Sequence, residues 1–169
     1  QASNAQNYLD MAVEGDADAQ YTAGIMYEKG LGVEKDSTKA QYWYLKSAQQ
    51  GHVDAQFQMG HIYETGYGVA ADKSKSLQWF KKAALQGSAS AQFRLGTIYI
   101  GLAGEENKAE AKKWLVLAQA QGVRAAEPAL THLGMAVVDA NPIELNTHIA
   151  DPIYDPFIQW YGKAASSGD

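Results

Sequence analysis

Between Asp16 and Lys29 the apolar residues Ala19, Ala23, Ile25 or Met26, and Tyr27 recur at helical spacing instead of alternating as a half-buried strand would. Asp16 stands where an N-cap belongs, with Asp18 in the first turn near the positive end of the helix dipole. Gly30 follows the last periodic residue and suits the left-handed turn at a helix C-terminus. Residues 30–35 then read as a loop, and Asp36 as the cap of a second helix carrying Ala40, Trp43, Tyr44 and Ala48, stopped by Gly51. The punctuation returns downstream, with His52 and Ser88 in the place of Asp16 and Asp72 in the place of Asp36.

The whole pattern is periodic. Gly24, Gly60 and Gly96 lie 36 residues apart, and Gly15, Gly51, Gly87 and Gly122 keep spacings of 36, 36 and 35. Ala19-Gln20 returns as Ala55-Gln56 and Ala91-Gln92, Tyr27 as Tyr63 and Tyr99, and Trp43 as Trp79 and Trp114. A period in this range marks a helical repeat array, in which each unit buries its apolar face by stacking on its neighbours. Glycine inside a helix costs about 1 kcal/mol relative to alanine. Its recurrence there predicts a facing helix too close for a Cβ, with Ala40, Ala48, Ala84 and Ala111 serving the same approach and the tryptophans filling the space between.

Composition narrows the class. The chain has 169 residues and a formal charge of −5, which argues against a nucleic-acid binder, since phosphate neutralisation needs a basic surface. The uncharged runs, such as Leu95 to Gly104, are too short to span a bilayer. With no cysteine, a disulfide framework, a thiol nucleophile and a thiolate zinc site are excluded.

The segment Ala55-Gln56-Phe57-Gln58-Met59-Gly60-His61-Ile62-Tyr63, followed by Gly66-Tyr67-Gly68-Val69, Asp72, Trp79 and Lys82-Ala83-Ala84-Leu85-Gln86-Gly87, resembles the Sel1-like repeat family, long-unit relatives of tetratricopeptide repeats. The resemblance runs nearly continuously from Asp16 to Gly122. It implies an all-α fold, a right-handed α/α superhelix of helix pairs. Residues 1–15 then form the second helix of a partial unit, 16–51, 52–87 and 88–122 three full units, and 123–169 an atypical fourth with an insertion around 134–155. In that fourth unit Ala126 and Leu130 keep their register, but Thr131 replaces the in-helix glycine and Pro128 makes the helix start late or kink. Asn141-Pro142, Asp151-Pro152 and Asp155-Pro156 suit N-cap and first-turn positions, predicting a short helical turn over 142–147 and a helix over 156–167.

The chemistry-bearing motifs are missing: there is no phosphate loop, no HExxH and no GxSxG. His132, His148, Asp139, Asp151 and Asp155 match no metal-ligand spacing, and Glu105-Glu106 reads as a solvated or capping pair. No catalytic residue, cofactor or metal is therefore expected. The resemblance implies a protein or peptide partner on the concave face lined by the first helices. Carrying over the tetratricopeptide register, the candidates are Asp18, Tyr21, Ile25, Glu28 and Lys29; Asp54, Phe57, His61, Glu64 and Thr65; and Ser90, Phe93, Thr97 and Ile100. Tyr21, Phe57 and Phe93 form an aromatic column that serves either inter-unit packing or direct contact. Glu28, Glu64 and His61 are expected to vary with the partner, and charge reversal at the two glutamates to disrupt binding without loss of folding. The second-helix lysines, among them Lys39, Lys46, Lys75, Lys81, Lys82, Lys112 and Lys113, read as a solvated convex face.

Two functional classes stand: a non-catalytic interaction scaffold, in envelope assembly, signalling or regulation, or a ligand-binding protein or enzyme acting on cell-wall or polysaccharide fragments through 134–155. Neither nucleic acid nor membrane insertion is expected, and the exposed end helices offer an edge for self-association. The start at Gln1-Ala-Ser suits a processed, exported protein of the bacterial periplasm, with a cytoplasmic setting as the alternative.

Overall fold

The structure is a computed structural model and describes residues 4–134. Among these residues are eight helices: α1 (Asn4–Glu14), α2 (Ala17–Lys29), α3 (Ser37–Gln49), α4 (Val53–Thr65), α5 (Lys73–Leu85), α6 (Ala89–Ile100), α7 (Glu105–Ala120) and α8 (Ala126–His132). Each packs chiefly on the helix before it and the helix after it, giving an α-solenoid of helix pairs. The expected helix over 156–167, the turn over 142–147 and the insertion lie outside the described residues.

Local signals set the boundaries. The Asp16 carboxylate accepts the Ala19 amide at 2.7 Å, and Asp36 and Asp72 do the same for Lys39 and Lys75 at 2.9 and 3.0 Å. His52 caps through Nδ1 to the Ala55 amide at 3.2 Å, and Ser88 through Oγ to Ala91 at 3.3 Å. Gly30 ends α2 at φ 74°, its amide donating to the Met26 carbonyl at 2.8 Å. The third unit departs from this scheme. Gly101 has φ −73°, and Gly104 precedes α7 without a side-chain cap, leaving Glu105 and Glu106 in the first turn. In the fourth unit α8 begins only at Ala126, which puts Pro128 in the first turn, where its missing amide leaves no helical bond unmade. The helix therefore starts late and is not kinked.

The core is a chain of small clusters, not one centre. Ala12, Ala19 and Ala23 form the first, and Ala40, Tyr44, Ala48, Ala55, Met59 and Ile62 the second. A third surrounds Phe80, Leu95 and Trp114, and a fourth Leu115, Ala126 and Leu130. The in-helix glycines do admit a close neighbour, but it is not tryptophan. A Cβ on Gly24, Gly60 or Gly96 would lie under 3.0 Å from the side chains of Tyr44, Phe80 and Leu115 respectively, each the residue after the repeat tryptophan. Successive helical residues point about 100° apart, so one faces its own first helix while the other reaches back. Trp43 accordingly packs on Ala12, Ala19 and Ala23, Trp79 on the Tyr44 cluster, and Trp114 in the Phe80 cluster.

A glutamine relay crosses the first three junctions. The buried Gln56 donates Nε2 to the Ala48 carbonyl at 3.2 Å, while Gln86 donates to the Gly51 carbonyl at 3.0 Å and to Gln56 Oε1 at 2.7 Å. Gln20 with Gln50, and Gln92 with Gln121, repeat the arrangement one unit earlier and later. Each relay ties two second helices to the first helix between them and satisfies carbonyls left over at a helix end.

Two outcomes follow. Gly60→Ala gains about 1 kcal/mol of helix propensity. It forces the fully buried Phe80 ring aside, a strain of about 1–3 kcal/mol, so urea unfolding should show net destabilisation. Ser76 is 2% exposed with an Oγ that has no hydrogen-bond partner, where the register places Ala40 and Ala111. Ser76→Ala should therefore raise stability by about 1 kcal/mol in the same measurement, by removing a buried unsatisfied hydroxyl.

Candidate functional site

The first helices α2, α4 and α6 carry the candidate partner-binding residues, and the structure divides them by what they touch. The aromatic column is packed between units. Tyr21 stacks on His52 at 4.6 Å between ring centroids and tilts against Tyr44 at 5.7 Å; Phe57 tilts against Phe80 at 5.4 Å. Phe93 packs on the Leu115, Ala126 and Leu130 cluster. Burial, then the neighbouring Asp54 carboxylate, raises the Tyr21 hydroxyl above the usual tyrosine range, although Gln58 bonds to it. Each ring thus joins its own unit to the next.

Ile25 and Ile100 are likewise half-buried against these clusters, and the Thr97 hydroxyl donates to the Arg94 carbonyl at 2.8 Å. The two glutamates require a correction. Expected as solvent-facing groups reversible without loss of folding, both are half-buried and internally bonded. Glu28 accepts from the Tyr44 hydroxyl at 2.5 Å, and that bond together with burial, the larger cause, holds Tyr44 protonated far above the usual range. Glu64 pairs with Arg94 of the following unit. Reversal at Glu64 would set two positive charges against each other across the unit boundary, so it tests the fold as much as any partner. Arg94 was not among the candidates, although an arginine three residues after the repeated Ala91 was visible in the chain.

What remains exposed is a smaller set: Asp18, Lys29, Asp54, His61, Thr65 and Ser90. Asp18 reaches His52 Nε2 at 3.3 Å while keeping a side-chain exposure of 90%. The Thr65 hydroxyl is turned back to the His61 carbonyl at 2.9 Å. Among the described residues Lys29, Asp54 and His61 enter none of the side-chain caps, ion pairs or relay bonds.

Among the described residues no three His, Asp or Glu side chains converge to hold a metal ion, and of the earlier histidine and aspartate set only His132 lies within them. Among the same residues no helix is long and apolar enough to cross a membrane.

The Sel1 repeat family pattern matches residues 17–52, 53–88, 89–123 and 158–169. Two crystal structures share the architecture. One is a protective antigen present in uropathogenic Escherichia coli strains displaying an SLR fold, with a TM-score of 0.69 and 36% identity over 75% of this chain and 27% of that one. The other is a Sel1 repeat protein from Oxalobacter formigenes, with a TM-score of 0.63 and 37% identity over 68% of this chain and 47% of that one. This chain thus spans less than half the length of either. No curated protein matches. Proteins of this repeat family are generally non-catalytic scaffolds for protein–protein interaction. With the repeat pattern matched through every full unit and the helix pairs in place, the chain belongs to the Sel1 repeat family.

Proposed function

We propose that this chain is a non-catalytic scaffold that holds a partner protein or peptide along the face presented by α2, α4 and α6. One observation carries the reading: Lys29, Asp54 and His61 stay exposed on consecutive first helices, while their neighbours on the same face are consumed by inter-unit packing. Side chains that the fold does not use are the ones a partner can read. Rigid helices present them, so little ordering opposes binding. Tyr21, Phe57 and Phe93 act mainly by setting the spacing of these groups. The competing assignment, a ligand-binding or enzymatic site in 134–155, falls outside the described residues.

The test is capture of partners from extracts of the source cell on the immobilised chain, comparing His61→Glu and Asp54→Lys with the parent. Recovery of a specific partner should fall about tenfold or more, as for groups in the middle of an interface. Unfolding free energies should stay within about 0.5 kcal/mol, because both sites are exposed. Glu64→Lys, in contrast, should lower stability by up to about 1 kcal/mol, the worth of a partly exposed ion pair. Undiminished recovery with both exposed-site variants removes this reading.

A further inference from the structure

The second helices carry a surface that the proposal above does not use. α3 and α5 together hold six lysines, Lys39, Lys46, Lys73, Lys75, Lys81 and Lys82, and not one aspartate or glutamate. All six are exposed. Only Lys39 and Lys75 have a carboxylate at hand, the capping Asp36 and Asp72 at 3.8 and 3.7 Å. Lys46, Lys73, Lys81 and Lys82 make no ion pair among the described residues, in a chain whose net charge is −5. The patch is bounded, since α1 carries Asp10 and Glu14, and α7 carries Glu105, Glu106 and Glu110.

Its pattern is more specific than its charge. On α3, Lys39, Tyr42, Lys46 and Gln49 recur at steps of three, four and three residues, and all are exposed. One repeat later Lys75, Gln78, Lys82 and Leu85 do the same on α5. This is the spacing of a coiled-coil seam, with lysine in one position of each heptad and uncharged side chains in the other. Apolar surface accompanies it: Tyr42 is 52% and Leu85 41% exposed. Lys46 lies over the Tyr42 ring at 5.7 Å and Lys82 over the Trp79 ring at 4.2 Å. A partner helix repeats its own side chains at the same turn spacing and therefore meets successive basic and apolar rows in step. A bilayer surface has no such period.

We infer that the exposed α3 and α5 faces dock an acidic amphipathic helix of a partner protein, carboxylates meeting the lysine rows and apolar groups meeting Tyr42 and Leu85. The probe is a labelled synthetic helix of about three heptads with glutamate and leucine on one face. It is titrated against the whole chain by fluorescence anisotropy, beside a scrambled peptide of identical composition. The patterned helix should bind about tenfold or more tightly than the scrambled one, and its binding should weaken with salt. The Lys46→Glu/Lys82→Glu double variant, confirmed as folded by circular dichroism, should bind the patterned helix about tenfold or more weakly. His61→Glu, on the first-helix face, should change nothing, which separates this surface from the one proposed above. Equal binding of both peptides, retention by the double variant, or loss on His61→Glu overturns the inference. So does sedimentation with phosphatidylglycerol vesicles in the absence of peptide binding.

Discussion

The contact between a bare helix backbone and a ring or branched side chain organises this molecule. At Gly24 and Gly60 the facing aromatic lies where a Cβ would be, and at Gly96 Leu115 takes that place. Helices packed so closely cannot slide without losing that fit, because interiors are packed at crystal-like density. The crossing fixes the pair, the pair fixes where the next tryptophan can reach back, and the stacked clusters follow. A polar ladder runs through the same junctions. Each buried glutamine bonds a carbonyl of the preceding second helix and accepts from the glutamine that closes its own unit. Buried amides are costly when unpaired, so the ladder also sets the register of one unit on the next.

The same constraint decides which residues are left for function. A solenoid has no remote core to which its large side chains can retreat, so groups on the first helices are drawn into junctions. Tyr21 and Phe57 lie on the face expected to meet a partner but spend most of their surface on neighbouring helices. Glu64 and Arg94 show the same competition in charge: they face each other across a unit boundary. Shorter or more exposed groups such as Asp54 and His61, both on α4, are left facing solvent. The lysines of α3 and α5 have the opposite history, since nothing in the junctions demands them.

The sequence by itself determined the period, the helix pairs, the caps at Asp16, Asp36, His52, Asp72 and Ser88 and the close approach at the in-helix glycines, and it marked the irregularity at Pro128 without choosing between a late start and a kink. These depend on local geometry and on recurrence, and a linear chain displays both. The glutamine positions were visible as a recurrence but not as a relay, because each pairs with a glutamine about 30 residues away in its own unit and with a carbonyl of the unit before it. Only the tertiary structure decided that Tyr44 and Phe80, not the tryptophans beside them, cover the glycines, since adjacent residues on one helix face different neighbours. It alone separated Glu28 and Glu64, spoken for by Tyr44 and Arg94, from Lys29, Asp54 and His61. Exposure and pairing depend on what the facing second helix or the following unit places opposite each side chain, and helical spacing along one helix carries no record of that.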